Sequence, residues 1–307
     1  MSDFTDMEIF ARVVTAGSLS AAGRELGLSP AVVSKRLKRL EDRLGTRLLQ
    51  RTTRQIALTE AGRGFNERIV QILASIEEAE AYVGGRSAAA RGTLKVSAPT
   101  SFGRLHIAPH LQPFLDANPG LTINLVLSDD FVDLVKEGID VAIRIAELTD
   151  SSLVARRLAP NHRLLCASPA YLAAHGTPER LADLARHNLL ATAGQDPWRL
   201  EGPGGPVTVH VDGRLKTNSN EVVREAVIAG LGIALRSTWD VGPELRTGQL
   251  VHVLPAFRAS RRVAVHAVYP SRRFLAAKVR LFIDFLATLY GEHPKWDEGL
   301  EAIIGDG

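Results

Sequence analysis

The sequence of 307 residues is poor in several residue types, and each scarcity excludes a class of protein. It holds one cysteine, Cys166, so it has no internal disulfide, and no Cys/His cluster suggests zinc. No apolar run approaches the ~18 residues of a membrane-spanning helix. The first residues, MSDFTDMEIF, are acidic and lack the basic and then apolar order of a signal peptide. We therefore expect a cytoplasmic protein without membrane contact.

Enzyme signatures are also missing. The chain has no G-x-S-x-G elbow, no Walker lysine loop and no H-E-x-x-H motif. His106 and His110 have i,i+4 spacing but no nearby carboxylate ligand, and Cys166 lies in an apolar run. We interpret Cys166 as a small buried hydrophobic residue, the alternative being a redox sensor. We expect no catalytic site, no metal and no cofactor.

Charge is nearly balanced overall but uneven along the chain. Lys and Arg number 37 against 34 Asp and Glu, which gives a net charge of +3. Residues 28–54 hold eight Lys and Arg and two acids. This density suits DNA, because cations that neutralise phosphates release counterions. A solvated helix face is the alternative for an isolated basic run.

Two short helices and a sharp turn accompany this basic stretch. Ser18 and Ser29 are predicted N-caps, Gly27 suits a turn with positive φ, and Pro30 suits the first position of the second helix. Gly45 ends that helix. Its apolar stripe consists of Val33, Leu37, Leu40 and Leu44. A helix with one apolar stripe and a basic remainder, set behind a tight turn, suits the DNA major groove.

These motifs lie in MEIFARVVTAGSLSAAGRELGLSPAVVSKRLKRLEDRLGTRLLQRTTRQIALTEAG, which closely resembles the winged helix-turn-helix of LysR-type transcriptional regulators. The resemblance covers about residues 4–290 and implies that an arginine of the wing, here Arg54, enters the minor groove. Pro30 stands one place earlier than the family's proline, and Arg36 replaces a common glutamine. The expected DNA-binding residues are Ser29, Pro30, Ala31, Ser34, Lys35, Arg36, Lys38, Arg51, Thr53 and Arg54.

A heptad pattern follows the wing. Thr59 is the predicted cap of a long helix whose apolar residues recur at alternating spacings of four and three. Such a seam calls for a partner helix, and the resemblance favours a homodimer or homotetramer, although burial within the same domain is the alternative. The expected dimerisation residues are Phe65, Ile69, Ile72, Ile76 and Val83.

From Thr93 onward, strands alternate with helices. Strands are predicted at 94–98, 121–127 and 141–145, with a short helix at 131–136, and this order favours a parallel sheet. A second set begins at 163–168, and a last strand and helix at 264–290 return to the first set. The fold class is therefore α/β: a mainly α winged helix-turn-helix and linker helix, then a two-lobed α/β effector domain. The resemblance implies an architecture similar to periplasmic binding proteins.

The predicted domain boundaries follow these changes in pattern. The winged helix-turn-helix covers 1–59, the linker helix and hinge 60–92, the effector-binding domain 93–290 and a C-terminal tail 291–307. Lobe I comprises 93–162 and 267–290, and lobe II comprises 163–266. In the tail, Trp296, Leu300 and Ile303 fit one helical face, which predicts docking or a subunit contact.

The predicted cleft lies beyond the carboxyl ends of the strands. Thr100 and Ser101 start a helix there, and its free N–H groups can hold a carboxylate; ordinary capping is the alternative. Asp129 caps a helix or selects against anions, Arg144 neutralises an effector or a protein acid, and Trp198 forms a wall or packs in the core. The expected effector-binding residues are Thr100, Ser101, Phe102, Ser128, Asp129, Arg144, Trp198, Asn218 and Ser219.

The sequence thus predicts a DNA-binding transcriptional regulator that senses a small effector, an anion of the carboxylate type. Its expected partners are double-stranded DNA, the effector and further copies of the same chain, and RNA polymerase is an additional candidate. The alternative is a cytoplasmic α/β small-molecule-binding protein or enzyme with an incidental basic N-terminus.

Overall fold

The computed structural model describes residues 3–51, 56–83, 90–130, 133–134, 136–147, 153–270 and 275–305. The chain divides into two compact units, Met1–Ala89 with Arg272–Ala277, and Ala90–Ser271 with Lys278–Gly307. We call them the N-terminal unit and the C-terminal unit. Among the helices that the structure describes, none is long and apolar enough to cross a membrane.

The N-terminal unit consists of three helices, a hairpin and a long helix. These are α1 (Asp3–Ala16), α2 (Leu19–Leu26), α3 (Pro30–Leu44), β1 (Leu49–Arg51), β2 (Ile56–Leu58) and α4 (Glu60–Val83). Ser18 Oγ accepts a hydrogen bond from Ala21 N at 3.1 Å, and Ser29 Oγ accepts one from Val32 N at 3.3 Å. Gly27 and Gly45 end α2 and α3 in the left-handed region. The predicted caps and turn are confirmed.

The three short helices enclose one apolar core. Val33, Leu37 and Leu40 of the predicted stripe are buried and pack with residues of α1 such as Phe10. Leu44 is 38% exposed, so the stripe ends earlier than predicted. The difference arises because Leu44 lies in the last turn, where the chain leaves α3 at Gly45.

The first turns of α4 pack within their own unit, which corrects part of the predicted dimer seam. The Phe65 ring lies 5.6 Å from the Phe10 ring, and Ile69 is 1% exposed in the single chain. Ile72 is 43% exposed and its neighbour Val70 is 52% exposed. Only the later turns therefore offer an apolar surface, among the α4 side chains that the structure describes. The side chain of Val83 lies outside that described part.

Lobe I of the C-terminal unit begins with four strands and two helices. They are β3 (Gly92–Ala98), α5 (Thr100–Phe102), α6 (Leu111–Ala117), β4 (Leu121–Leu127), β5 (Val141–Ala146) and β6 (Val154–Pro160). A π turn and a 3-10 turn join α5 to α6. β3 pairs in parallel with β4 and with β5, as predicted. Of the helix predicted at 131–136, Lys136 lies in a turn, and residues 131, 132 and 135 are outside the described part.

Lobe II holds a seven-stranded sheet with helices packed on it. Its elements are β7 (Arg163–Ala167), α7 (Pro169–His175), β8 (Leu189–Leu190), β9 (Trp198–Gly202), β10 (Gly205–Val209), α8 (Asn220–Ile228), β11 (Ile233–Ser237), α9 (Thr238–Thr247), β12 (Val251–His252) and β13 (Arg258–Ala259). The pairing is mainly antiparallel, because β7 lies antiparallel to β11, β12 and β13, while β8 and β11 are parallel. Lobe II, for which no strand direction was predicted, therefore differs from the parallel order of β3, β4 and β5 in lobe I.

The last strand, β14 (Ala264–Tyr269), returns to lobe I and lies between β5 and β6, antiparallel to both. The predicted boundary between the lobes at 266/267 would cut this strand, whereas all of it belongs to the first sheet. The sheet is mixed rather than parallel because the chain re-enters lobe I from the crossover and runs back beside β5. Helix α10 (Ala277–Tyr290) follows it.

The C-terminal tail docks on its own chain. It forms a 3-10 turn at Lys295–Asp297 and a short helix, α11 (Glu301–Ile304), rather than one continuous helix. Leu300 is 1% exposed in an apolar cluster of lobe II, and the Trp296 ring lies 5.1 Å from the Tyr290 ring. The predicted face at Trp296, Leu300 and Ile303 thus covers the same molecule.

A glycine in α4 tests the contact between this helix and the hairpin. A Cβ on Gly62 would overlap the Leu48 carbonyl oxygen, whereas a Cβ on Gly64 would meet only the end of the flexible Arg68 side chain, at 3.3 Å. We expect Gly62→Ala to destabilise the N-terminal unit by about 1–3 kcal/mol through overpacking. Gly64→Ala should stabilise it by about 0.5–1 kcal/mol through helix propensity. Amide hydrogen exchange in α3 and α4 measures both; equal effects would contradict the contact.

Candidate DNA-binding and effector-binding sites

One side of α3 presents polar and basic residues to solvent. Ala31, Lys35 and Lys38 lie opposite the buried stripe and are exposed, as are Ser29 and Pro30 at the start of the helix. Residue Ser34, beside this row, is half-buried. This face has the shape and charge of a helix that enters a major groove.

Arg36 lies on another side of α3, which corrects its expected role in DNA contact. Its Nη1 donates to Asp6 Oδ1 of α1 at 2.9 Å, and the Asp6 side chain is 4% exposed. A buried carboxylate needs a partner, because removing one member of a buried ion pair leaves an uncompensated charge. Arg36 therefore ties α1 to α3. The sequence does not reveal this pairing because the partners lie 30 residues apart.

The wing is held by an acid of the basic stretch. Glu41 Oε1 accepts hydrogen bonds from Leu48 N at 2.9 Å and Leu49 N at 3.1 Å, so this carboxylate fixes the entry to β1. Arg51 ends β1, and the predicted wing residues Thr53 and Arg54 lie outside the described residues.

The strand register of lobe I brings polar residues to one edge of the sheet. Ser97 of β3 pairs with Val126 of β4 and with Ala142 of β5. Because these strands are parallel, residues near or beyond their carboxyl ends share one edge. Thr100 and Ser128 follow β3 and β4, and Arg144 lies near the carboxyl end of β5. Burial lowers the pKa of Arg144, so its guanidinium is partly withdrawn from water.

A carboxylate of the protein occupies this edge. Asp129 Oδ1 accepts the backbone N–H of Thr100 at 2.8 Å, and its Oδ2 accepts the Nδ2–H of Asn220 in lobe II at 3.0 Å. Ser128 Oγ accepts the N–H of Asp130 at 3.1 Å. Asp129 thus takes the place predicted for an anionic ligand, and it joins the two lobes.

Sequence reasoning missed Asn220, because the predicted contacts were its neighbours Asn218 and Ser219. Ser219 Oγ instead caps α8 by accepting Val222 N at 3.4 Å, and Asn218 is exposed. Asn220 Oδ1 accepts from Gln195 Nε2 at 2.9 Å and from Arg236 Nη1 at 3.3 Å.

Arg236 is itself fixed by a buried ion pair with Asp240. Its Nε lies 2.8 Å from Asp240 Oδ2, and the two side chains are 4% and 0% exposed. This pair holds the guanidinium against Asn220, so the core of lobe II orients the amide that reaches Asp129. The sequence does not signal this pair, because Arg236 lies in β11 and Asp240 in α9, where the i,i+4 rule for one helix face does not apply.

Two predicted effector contacts, Trp198 and Phe102, pack in the core, which corrects them, while Ser101 stays a prediction. Trp198 is 1% exposed within the core of lobe II, and Phe102 is 0% exposed. The Phe102 ring lies 5.2 Å from the Trp239 ring and 5.8 Å from the Trp296 ring, so it packs in an aromatic cluster. Ser101 is 2% exposed, and its hydroxyl has no partner among the described residues. Burial of the large apolar side chains of Trp198 and Phe102 stabilises the fold more than their exposure in a solvated cleft would.

Further contacts close one side of the cleft. Arg104 Nε donates to Glu221 of α8 at 3.0 Å, and His106 Nε2 lies 2.8 Å from the Trp239 carbonyl oxygen. Burial lowers the pKa of His106, which favours the neutral ring in this contact. The structure therefore shows the lobes held together along α5, α8 and α9.

The free thiol of the C-terminal unit, Cys166, is buried. Burial raises the pKa of the Cys166 thiol to about 12, so the thiol stays protonated and unreactive. Across the ranges that the structure describes, no cluster of three or more His, Cys, Asp or Glu could hold a metal ion.

Each of the two units matches a known protein family. Residues 4–63 match the family model of the bacterial regulatory helix-turn-helix protein of the LysR family, and residues 87–290 match the LysR substrate-binding domain. The chain belongs to the LysR family of transcriptional regulators. Members of this family bind DNA and small-molecule effectors and form oligomers. Like its relatives, it is a transcriptional regulator rather than an enzyme.

Related LysR regulators match along nearly the whole chain. The HTH-type transcriptional regulator DmlR of Escherichia coli K12 is 38% identical over 292 residues, 94% of each chain. The transcriptional activator TtdR of the same strain is 36% identical over 303 residues, 97% of each chain. The solved structure of CrgA from Neisseria meningitidis is 31% identical with a TM-score of 0.62, covering 95% of this chain and all of that chain. The full-length activator AphB of Vibrio cholerae is 30% identical with a TM-score of 0.58, covering 94% and 99%.

Adjacent cations of α3 test the separation between DNA contact and folding. We expect Lys35→Ala to leave thermal stability unchanged. The slope of the logarithm of DNA affinity against the logarithm of salt concentration should become less steep by about 1, because one phosphate contact is lost. Arg36→Ala should instead destabilise the N-terminal unit by about 2 kcal/mol, because the buried Asp6 loses its 2.9 Å hydrogen bond and keeps only the more distant Arg39, 3.8 Å away. Thermal unfolding and DNA titrations at several salt concentrations measure both effects. A stable Arg36→Ala protein with weakened DNA binding would reverse the assignment.

A double-mutant cycle tests the bond between the lobes. We expect Asp129→Ala and Asn220→Ala to be non-additive in urea unfolding, with a coupling of about 1–2 kcal/mol, because their hydrogen bond involves a charged acceptor. The pair Asp130→Ala and Asn220→Ala serves as the control, since Asp130 is adjacent and exposed. Additive effects of Asp129→Ala and Asn220→Ala would show that their hydrogen bond does not contribute to the free energy of unfolding.

Proposed function

We propose that this LysR-type regulator binds operator DNA as a dimer through α3 and the wing, and that a small carboxylate in its cleft controls that binding. The DNA part is supported by the exposed row at Lys35 and Lys38, opposite the buried stripe. The first residues of a recognition helix contact base edges, and neighbouring cations contact phosphates. We propose that Ser29, Pro30, Ala31 and Ser34 contact bases and that Arg51, Thr53 and Arg54 act in the wing.

The dimer part is supported by the exposed apolar residues of α4. Val70 and Ile72 are 52% and 43% exposed, and a second copy of the helix would cover them. Two α3 helices about 34 Å apart can enter successive major grooves on one face of DNA. The regulator acts in the cytoplasm, where this DNA lies, and RNA polymerase is a candidate partner there.

The observation that carries the effector class is the Asp129 carboxylate on the Thr100 amide, at 2.8 Å. A position that holds a carboxylate of the protein has the donor geometry that a ligand carboxylate needs. The effector carboxylate replaces Asp129 there. Arg144 lies near the carboxyl end of β5, at the same edge, and supplies positive charge in a partly desolvated place, where an ion pair is stronger than in water.

Replacement of Asp129 gives the effector a way to control the lobes. When the Asp129 carboxylate leaves Thr100, its hydrogen bond with Asn220 is released. The effector then sets the distance between the lobes. A ligand shifts such an equilibrium by the difference between its affinities for the two arrangements. The cleft is thereby coupled to the DNA-binding unit.

Calorimetric titration of the full chain with small mono- and dicarboxylates, each beside its uncharged amide, tests the effector class. We expect acids to bind and amides not to bind. Arg144→Gln should weaken binding about tenfold or more, because a charge-assisted hydrogen bond is lost. Asp129→Asn should strengthen binding, because a neutral amide competes less well for the Thr100 N–H.

Arg156→Gln provides the matched control on the same sheet, since the Arg156 guanidinium pairs with Asp284 of α10. Its affinity for the acid should equal that of the unmodified protein. Equal binding of acid and amide, or an Arg144→Gln protein with unchanged affinity, would refute a carboxylate effector.

A further inference from the structure

A small cavity lies where the chain crosses between the lobes, at 161–162 and at 260–263. It is partly open to solvent, and its volume of about 20 Å³ leaves room for a small ion only. We call it the crossover cavity. Its lining includes Asn161, His162, Arg163, Arg258, Arg261 and Ile304 of the tail. Thr100, Ser128 and Arg144 do not line it, so it is separate from the effector cleft.

Asn161 is the first sign of a ligand. The residue is 5% exposed, and neither its side-chain oxygen nor its side-chain nitrogen has a hydrogen-bond partner within the described residues. Buried polar atoms are nearly always paired with protein groups, water or a ligand. Asn161 therefore offers one donor and one acceptor to a molecule in the crossover cavity.

The charge around the crossover cavity is the second sign. The Arg258 guanidinium donates to the carbonyl oxygens of Pro255, at 3.3 Å, and of Ile304. In the described ranges neither Arg258 nor Arg261 pairs with a carboxylate. Asp297 Oδ2 lies 3.8 Å from His162 Nε2 and is the acid that the described residues place beside the lining in an ion pair. Burial first, and then nearby arginines including Arg261 and Arg258, lower the pKa of His162. Positive charge therefore exceeds negative charge here.

We propose that the crossover cavity is an anion site for hydrogen phosphate. Its unprotonated oxygens accept hydrogen bonds from Arg258, Arg261 and the Asn161 Nδ2–H group, and its O–H group donates to Asn161 Oδ1. Sulfate matches the arginines but has no proton for Asn161 Oδ1 at neutral pH. The donor and acceptor of Asn161 together thus select a protonated oxyanion.

Phosphate in this site would restrict the movement of the lobes. Asn161 lies in the first crossing, Arg261 in the second, and Arg258 contacts the tail at Ile304. An ion that binds all three joins segments whose relative movement accompanies opening of the cleft. Bound phosphate then modulates the response to the effector, although the ion does not enter the effector cleft.

Calorimetric titration of the full chain at pH 7 with sodium phosphate, and separately with sodium sulfate at matched ionic strength, tests the site. We expect saturable phosphate binding and weaker sulfate binding. Arg261→Gln should weaken phosphate binding about tenfold, the loss typical of one charge-assisted hydrogen bond. Asn161→Asp keeps the side-chain shape and should abolish binding by repelling the anion. Because Asn161 is buried, thermal unfolding first checks that this variant is folded, and the exposed Arg261 keeps the test decisive if it is not.

Two further variants identify the location. Arg262→Gln is the matched control, because Arg262 adjoins Arg261 but is exposed and lies 3.5 Å from Glu147. Arg144→Gln, which removes the proposed cation of the effector cleft, should also keep phosphate binding. Sulfate that binds as well as phosphate, unchanged binding in Arg261→Gln, or loss of binding in Arg144→Gln would each overturn the proposal.

Discussion

The carboxylate of Asp129 is the constraint around which the C-terminal unit is arranged. It accepts an amide from its own lobe at 2.8 Å and a side-chain amide from the other lobe at 3.0 Å. Behind this contact, the buried pair of Arg236 and Asp240 holds Asn220 in place. In the function that we propose, a ligand carboxylate replaces Asp129, so binding of the effector and release of the contact between the lobes are the same event.

Charged residues on different sides of α3 differ in burial and in their partners. Residues opposite the apolar stripe, such as Lys35 and Lys38, stay exposed, whereas Arg36 turns towards α1 and neutralises the buried Asp6. Glu41 holds the start of the hairpin rather than opposing the basic charge. Neighbouring residues of the same charge therefore have different roles. A buried charge must be paired within the protein, whereas an exposed charge is solvated and stays available to a ligand.

Helix α4 also has two tasks along its length. Its first turns complete the core of the N-terminal unit through Phe65, while Val70 and Ile72 remain exposed. Among the α4 side chains that the structure describes, the exposed large apolar ones therefore follow Ile69. The heptad pattern extends through both parts, because the helical period requires only an apolar environment and does not distinguish a neighbouring helix of the same chain from one of another.

The sequence by itself determined the local features: the caps at Ser18 and Ser29, the turn at Gly27, the strands of lobe I and the family. Caps, glycine turns and hydrophobic periods depend on residues close along the chain, so they can be predicted without the fold. Only the tertiary structure decided that Arg36 is an internal partner, that Trp198 is core and that Asn220 faces Asp129. These outcomes depend on burial and on partners distant in the chain, and periodicity holds no information on either.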